Sequence, residues 1–326
     1  MPTIKSIIAG TGSYLPEKIL TNADLEKMVD TTDDWIVQRS GIRQRHIAAP
    51  GETTGDMAII AGGRALEESG YHASDIDGVI VATTTPDTTF PSVAVKVQAE
   101  LGIPPGLAFD LQAVCTGFVY ALSVADNFIK AGQAKRILVI GAEKMSSIVD
   151  WNDRTTCVLF ADGAGAVVLA AHEEAKPGAE GRGVHATHLY ANGHQRDILY
   201  TNGGTSSTGS TGHIVMHGKE VFKHAVNYMS EIVEETLKKN AITSADIDWL
   251  VPHQANIRII ESTAKKLDMP MERVIVTIDR HGNTSAASIP LALDEGVRTG
   301  KIKHGDLLLL EALGGGLTWG SALIRF

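Results

Sequence analysis

A weak internal repeat is the feature that most constrains this chain. The stretch "ALEESGYHASDIDGVIVATT" at 65–84 is echoed by "TLKKNAITSADIDWLVPHQA" at 236–255, so Asp75 and Asp246, and Asp77 and Asp248, share one offset. In each copy the spacing of an amphipathic helix ends, a short polar turn follows and an apolar strand begins. The echo continues where "IKAGQAKRILVIGAE" (129–143) resembles "VRTGKIKHGDLLLLEA" (297–312). This predicts two similar halves, residues 1–174 and 175–326, joined in the charged, Gly- and Pro-containing stretch "HEEAKPGAEGRG" (172–183). The segments "GVIVAT", "RILVIGA", "AGAVVLA", "WLVPH", "RVIVTI" and "DLLLLEA" are apolar on both faces, as strands are when helices cover both sides of a sheet. The expected class is α/β. At 326 residues and 44% hydrophobic content, one large core or two fused smaller ones can be buried.

Charge and cysteine content narrow the function classes. A net charge of −9 is the wrong sign for a chain that wraps nucleic acid or lies on an anionic membrane. The longest wholly uncharged small and apolar run near the middle, 163–171, is far short of the roughly 20 residues a span needs. The opening "MPTIKSIIAGTGSYLP" is too weak for a signal peptide, and two cysteines are too few for a disulfide framework, so the expectation is a cytoplasmic protein with a free thiol. No spacing suits a zinc site. "GTGSYLP" has only the first part of a dinucleotide fingerprint.

Cys115 lies in "FDLQAVCTGFVYAL", at a strand-to-helix junction among small residues. The positive end of a helix dipole lowers a thiol pKa there, and Ala113, Thr116 and Gly117 leave room for a substrate carbonyl. A buried structural cysteine is the competing reading. Cys157, in "TTCVLFADGAGAVVL", falls in a β-branched strand pattern and reads as structural. His253 ends an apolar strand in "WLVPHQANIRI", where ligand sites of α/β sheets gather, although a lone histidine there is commonly structural. Asn283, in "DRHGNTSAASIP", precedes a helix and would serve equally as an N-cap. If the halves superpose, Cys115 and Asn283 occupy equivalent places. Gly314 to Gly316, between two terminal strands, can aim backbone N–H groups at one point, or simply close a hairpin.

Taken together, "VCTGFVYAL", "PHQAN", "GNTSAASIP" and "GGGLTWGSALIRF" resemble the ketoacyl synthase III family, the 3-oxoacyl-[acyl-carrier-protein] synthases that start type II fatty acid synthesis; "DDWIVQRSGIRQRHIA" and "TPDTTFPS" add to the match. The resemblance implies a thiolase-like fold, two βαβαβαββ halves stacked as five αβαβα layers, in a homodimer. It implies Cys115 as the nucleophile that takes an acyl group from acyl-CoA. His253 and Asn283 would be the donors to a malonyl-derived enolate, and the N–H groups of Cys115 and Gly315 the oxyanion hole. No metal or organic cofactor is implied, since acyl-CoA and malonyl-acyl carrier protein are the substrates. Trp35 and Arg154 would sandwich the adenine, with Arg39 near the phosphates. Gly218, Phe222 and Asn256 would line the pantetheine tunnel, and Phe90 would close the partner's acyl pocket. Lys223, Arg258, Lys265 and Lys266 would form a local basic patch for the acidic carrier protein. The helix after His253 carries Ile257, Ile260, Ala264 and Leu267 on one face. Ser40, Thr116, Leu313 and Leu317 depart from residues common in the family. The main alternative is a related condensing enzyme of polyketide or long-chain acyl metabolism, which shares the Cys, His and Asn; a cysteine hydrolase and a non-catalytic scaffold are the others.

Overall fold

The computed structural model describes residues 3–174 and 181–326. Residues 175–180 of the expected join lie outside that range. In chain order the strands are β1 (Thr3–Tyr14), β2 (Lys18–Thr21), β3 (Gln44–Ile47), β4 (Gly78–Ala82), β5 (Leu107–Leu111), β6 (Arg136–Lys144), β7 (Asp162–Glu174), β8 (Gly183–Ala191), β9 (Leu199–Thr201), β10 (Ile214–Met216), β11 (Trp249–Pro252), β12 (Leu307–Gly314) and β13 (Thr318–Arg325). The helices are α1 (Asn22–Leu25), α2 (Asp33–Ser40), α3 (Thr54–Ser69), α4 (Val93–Glu100), α5 (Gly117–Lys130), α6 (Gly218–Lys239), α7 (Ile257–Lys266), α8 (Ile278–His281) and α9 (Ser288–Arg298).

Two large sheets have the orders β1-β7-β6-β4-β5 and β11-β12-β13-β8, and two small ones pair β9 with β10 and β2 with β3. In the first, β4 runs parallel to β5 and β6 while β7 is antiparallel to β6 and β1. In the second, β11 is parallel to β12, and β13 is antiparallel to β12 and β8. Side chains alternate along each strand. Ile80 and Ala82 of β4 therefore face α5 and α9, which lie between the two sheets, while Val79 and Val81 face α3 and α4. On the far side, Leu250, Leu307, Leu309 and Leu323 pack against α6 and α7 through Val233, Ile260 and Ala264. The result is five layers, αβαβα, as expected. Helices cover both faces of both sheets, which explains strands with no polar alternation.

The repeat holds at a constant offset across its middle. Gly78 and Trp249, Gly117 and Ser288, and Arg136 and Leu307 open corresponding elements, each pair 171 residues apart. The repeated aspartates do the same work twice. Asp77 accepts from the N–H groups of Lys135 and Arg136 at the start of β6 (2.6 and 2.8 Å), and Asp248 accepts from Leu307 N–H at the start of β12 (2.7 Å). Asp75 and Asp246 each accept the N–H that opens their turn, from His72 (3.0 Å) and Thr243 (2.7 Å). At this offset Cys115 corresponds to Ala286 and Asn283 to Gln112, so the expected equivalence of Cys115 and Asn283 is three residues out. A 3-10 turn, Ser285–Ala287, separates Asn283 from its helix, whereas Cys115 lies inside the matching turn, Val114–Thr116.

Two strand expectations fail, for one physical reason. "RVIVTI" makes only an isolated parallel bridge, Leu250 to Val274, because Gln254 takes the next backbone groups: it donates to Ile275 O (3.0 Å) and accepts from Thr277 and Ile278 N–H (2.9 and 3.1 Å). Cys157 lies in turns, where Asp153 accepts from Thr155 N–H (2.9 Å) and the Thr156 hydroxyl (2.9 Å). In both places side chains offered the backbone an alternative to a ladder, Asp153 locally and Gln254 from across the fold. Among the described residues no helix is long and apolar enough to cross a membrane.

Arg45, fully buried, ties the antiparallel β2–β3 pair to the turns before β7. Its guanidinium donates to Leu20 O (3.2 Å), Asn22 Oδ1 (2.8 Å) and Val158 O (2.8 Å), and burial pulls its pKa down to about 10. Arg45→Ala would leave these acceptors unpaired beside a cavity. A loss of about 3 kcal/mol is expected, read as a lower urea midpoint at unchanged m-value; an unchanged midpoint would contradict this account of the buried guanidinium.

Candidate active site

Cys115 is presented by a strained elbow. Val114, a β-branched residue, sits at φ +50°, a conformation that costs on the order of 1–3 kcal/mol and persists only where its surroundings impose it. Here they do. Thr116 Oγ1 donates to Thr318 O (3.1 Å), and Thr318 Oγ1 lies 2.9 Å from Ala113 O, so the β12–β13 hairpin is sewn to the elbow. Gly314 makes the approach possible, since a Cβ there would stand 2.7 Å from Cys115 N. The triple glycine closes a hairpin and also faces the cysteine.

His253 follows β11 and continues its ladder, donating its N–H to Glu311 O (2.8 Å). Its imidazole is buried, which pushes its pKa down to about 3 and keeps it neutral. Nδ1 is 2.6 Å from Ser288 Oγ, which itself accepts from Gln254 N–H (3.3 Å). Among the described residues Nδ1 is the one acceptor within reach of the Ser288 hydroxyl proton, so the hydroxyl is assigned as donor to Nδ1 and the ring proton to Nε2. Asn283 is oriented by the same logic. Its Oδ1 accepts Ser285 N–H (2.9 Å), leaving the Nδ2 hydrogens as donors. Backbone bonds between Asn283 and Leu159 and Ala161 (both 2.9 Å) hold it against the first half of the chain.

Cys115, His253 and Asn283 line one cavity of about 110 Å³, together with Gly218, Phe222 and Asn256. A second cavity, about 780 Å³, meets the first at Cys115, Phe160 and Leu199 and runs past the loop Thr84–Thr89. The thiol thus stands where a narrow channel opens into a wide one. Trp35, Arg39 and Arg154 form a separate group: the two guanidinium carbons lie 4.7 Å (Arg39) and 5.4 Å (Arg154) from the Trp35 ring centre. Asn256 joins that group to the cavity. It caps α7 by accepting from Arg258 N–H (2.9 Å) and donates to Arg39 O (2.6 Å). Lys223, Arg258, Lys265 and Lys266 are exposed; Lys266 pairs with Glu234 (2.5 Å) and Arg258 stacks on Phe222 (4.8 Å). Of the apolar face expected on α7, Ile260, Ala264 and Leu267 are buried and Ile257 is half-buried.

Two matching family models cover the site. "3-Oxoacyl-[acyl-carrier-protein (ACP)] synthase III" matches residues 109–193, and its C-terminal counterpart matches 237–326. A beta-ketoacyl-[acyl-carrier-protein] synthase III of Paramagnetospirillum magneticum is 61% identical over 322 residues, 99% of each chain. The chain belongs to the beta-ketoacyl-[acyl-carrier-protein] synthase III family. One of Rhodospirillum centenum is 59% identical over 323 residues, again 99% of each chain. The crystal structure of the synthase III from Aquifex aeolicus VF5 superposes with a TM-score of 0.92 at 48% identity, covering 98% of this chain and 100% of that one.

Membership in the synthase III family gives the cysteine a chemical context, but its electrostatics differ from the sequence expectation. Burial pushes the Cys115 thiol up to about 12, the Glu143 carboxylate adds to this, and the Ser285 hydroxyl offsets only part. A helix dipole contributes about 2 kcal/mol at most, whereas a buried charge loses several kcal/mol of hydration. The resting sulfur is a thiol. Ser285, Ser288, Gln254 and Glu143 went unnoticed in the sequence. The signal for Glu143 was present, a lone acid at the end of the apolar run "RILVIGAE". Among the described residues no cluster of three His, Cys, Asp or Glu is arranged to hold a metal.

Proposed function

We propose that this chain catalyses the initiating condensation of type II fatty acid synthesis, joining an acyl-CoA primer, acetyl-CoA in the first instance, to malonyl-acyl carrier protein. The products are 3-oxoacyl-acyl carrier protein, CoA and carbon dioxide. The observation that carries this reading is a pair of neutral donors, Nε2 of His253 and Nδ2 of Asn283, facing the cavity that holds Cys115. Cys115 sulfur attacks the primer thioester and expels CoA. Malonyl-carrier protein then enters, and as its carboxylate leaves as carbon dioxide, charge gathers on the thioester oxygen. Two fixed donors stabilise that enolate without adding a proton to it. The enolate carbon attacks the acyl-cysteine carbonyl, whose oxyanion the N–H groups of Cys115 and Gly315 receive, and the carbon–sulfur bond breaks.

Trp35 and Arg154 hold the adenine of CoA and Arg39 its phosphates, while Gly218, Phe222 and Asn256 line the pantetheine path. Stacking of rings and guanidinium groups on a base supports this assignment. The exposed cations Lys223, Arg258, Lys265 and Lys266 receive the acidic carrier protein. Phe90 is 83% exposed beside the loop that lines the wide cavity, which supports a homodimer in which each Phe90 covers the partner's pocket. The two halves, 1–174 and 175–326, supply the nucleophile and the donor pair respectively. The thioester substrates carry the activation, so no cofactor is assigned, and the free thiols fit the cytoplasm.

Product analysis separates this from a polyketide-type role. With acetyl-CoA, malonyl-carrier protein should be converted to 3-oxobutanoyl-carrier protein and malonyl-CoA should not react. Condensation on malonyl-CoA instead would overturn the assignment.

A further inference from the structure

With the pantetheine arm in the narrow channel, an acyl group on Cys115 has the wide cavity to extend into, and whatever fixes the walls of that cavity limits its length. One of those walls is a loop, Thr84–Thr89, between β4 and α4. A wall of this kind is only as exact as the groups that tether it. At its start, Thr84 N–H and the Thr85 hydroxyl bond Glu143 (3.0 and 2.7 Å). Beyond its end, Asp110 accepts Val93 and Ala94 N–H at the start of α4 (2.7 and 2.8 Å).

The middle of the loop is held by Asp87. Its Oδ1 accepts Gly55 N–H in the first turn of α3 (2.8 Å), where the helix dipole favours a carboxylate, and its Oδ2 accepts from Lys96 Nζ on α4 (2.8 Å). Lys96 is shared three ways, since Nζ also donates to Asp56 Oδ1 (2.7 Å) and to Oγ1 of Thr53, the N-cap of α3 (3.0 Å). One cation thus joins the loop to two helices. The Asp87 side chain is 16% exposed and that of Lys96 35%, so the network is sheltered compared with an isolated surface pair. Gly55 makes room for it: a Cβ there would stand 2.6 Å from Asp87 Oδ2 and 2.9 Å from Lys96 Cδ.

We propose that Lys96, by clamping Asp87 against the start of α3, is a positioning residue that sets the loop wall of the wide cavity and with it the length of acyl group Cys115 accepts. This rests on the condensing reading above. An acetyl group occupies only the junction at the sulfur, whereas each further methylene extends into the wide cavity. The clamped segment also leads into Phe90, so in the dimer both the chain's own wall and the cover it lends its partner depend on the same cation.

The test compares kcat/KM for Cys115 acylation by acetyl-CoA and by hexanoyl-CoA, read as CoA release with intact-protein mass. In Lys96→Met, which keeps the length of the side chain and removes its charge, the hexanoyl-to-acetyl ratio should rise about fivefold as the wall gives way, with acetylation close to the wild-type rate. Gly55→Ala probes the same clamp without removing a charge. The position lies in a helix, where alanine is the better former, so the thermal midpoint should not fall, yet the added methyl displaces Asp87 and should raise the ratio likewise. An unchanged or lower ratio in both variants, or rates for the two primers that fall together, would overturn the role of Lys96 and leave the condensing reading standing. Absence of acylation of the wild type by either thioester would overturn that reading itself.

Discussion

Cys115→Ser is expected to lower acyl transfer from acetyl-CoA by on the order of 10⁴-fold or more, the scale at which removal of a covalent nucleophile acts. The substitution is nearly isosteric, so the elbow at Val114 and the Thr116–Thr318 stitching should survive it. What changes is the ease of losing a proton. Burial already pushes the thiol up to about 12, and an alcohol in the same place is a weaker acid still. Intact-protein mass spectrometry after incubation with acetyl-CoA should find one acetyl group on the wild type and none on the variant, with equal thermal midpoints. Normal condensation by Cys115→Ser would remove Cys115 from the mechanism.

The second large effect separates the two halves of the reaction. His253→Ala and Asn283→Ala should each reduce malonyl-carrier protein decarboxylation by about 10²–10³-fold, the usual consequence of deleting one preorganised donor at a developing oxyanion. Acetylation of Cys115 should be affected much less, because neither donor faces the acyl carbonyl in that step. The assay is carbon dioxide release set beside acetyl incorporation for each variant. If acetylation fell and decarboxylation did not, the donors would have been assigned to the wrong step.

The αβαβα plan was legible because the repeated aspartates reflect a repeated task, pinning the first residue of β6 and of β12. Strands apolar on both faces could only be interior. That Cys115, His253 and Asn283 meet at one cavity was legible for a related reason, since each sits at the junction between elements, where α/β sheets gather their sites. Their orientation was not. Whether His253 bears its proton on Nε2 depends on Ser288, 35 residues away in the chain, and no local pattern encodes that pairing. The thiol pKa was misjudged for the same reason. Sequence places the cysteine near a helix N-terminus but says nothing of how completely water is excluded, and burial outweighs the dipole. The Cys157 turns and the lost "RVIVTI" strand both come from side chains, Asp153 and Gln254, that satisfy backbone groups a strand would otherwise pair.

The most direct test of the central claim is a two-step mass measurement on the intact enzyme. Exposure to acetyl-CoA should leave one acetyl group, mapped by peptide analysis to Cys115. Addition of malonyl-carrier protein should then remove it within one turnover and yield 3-oxobutanoyl-carrier protein. An acetyl group on another residue, or one that discharges to free acetate without a malonyl substrate, would contradict the account.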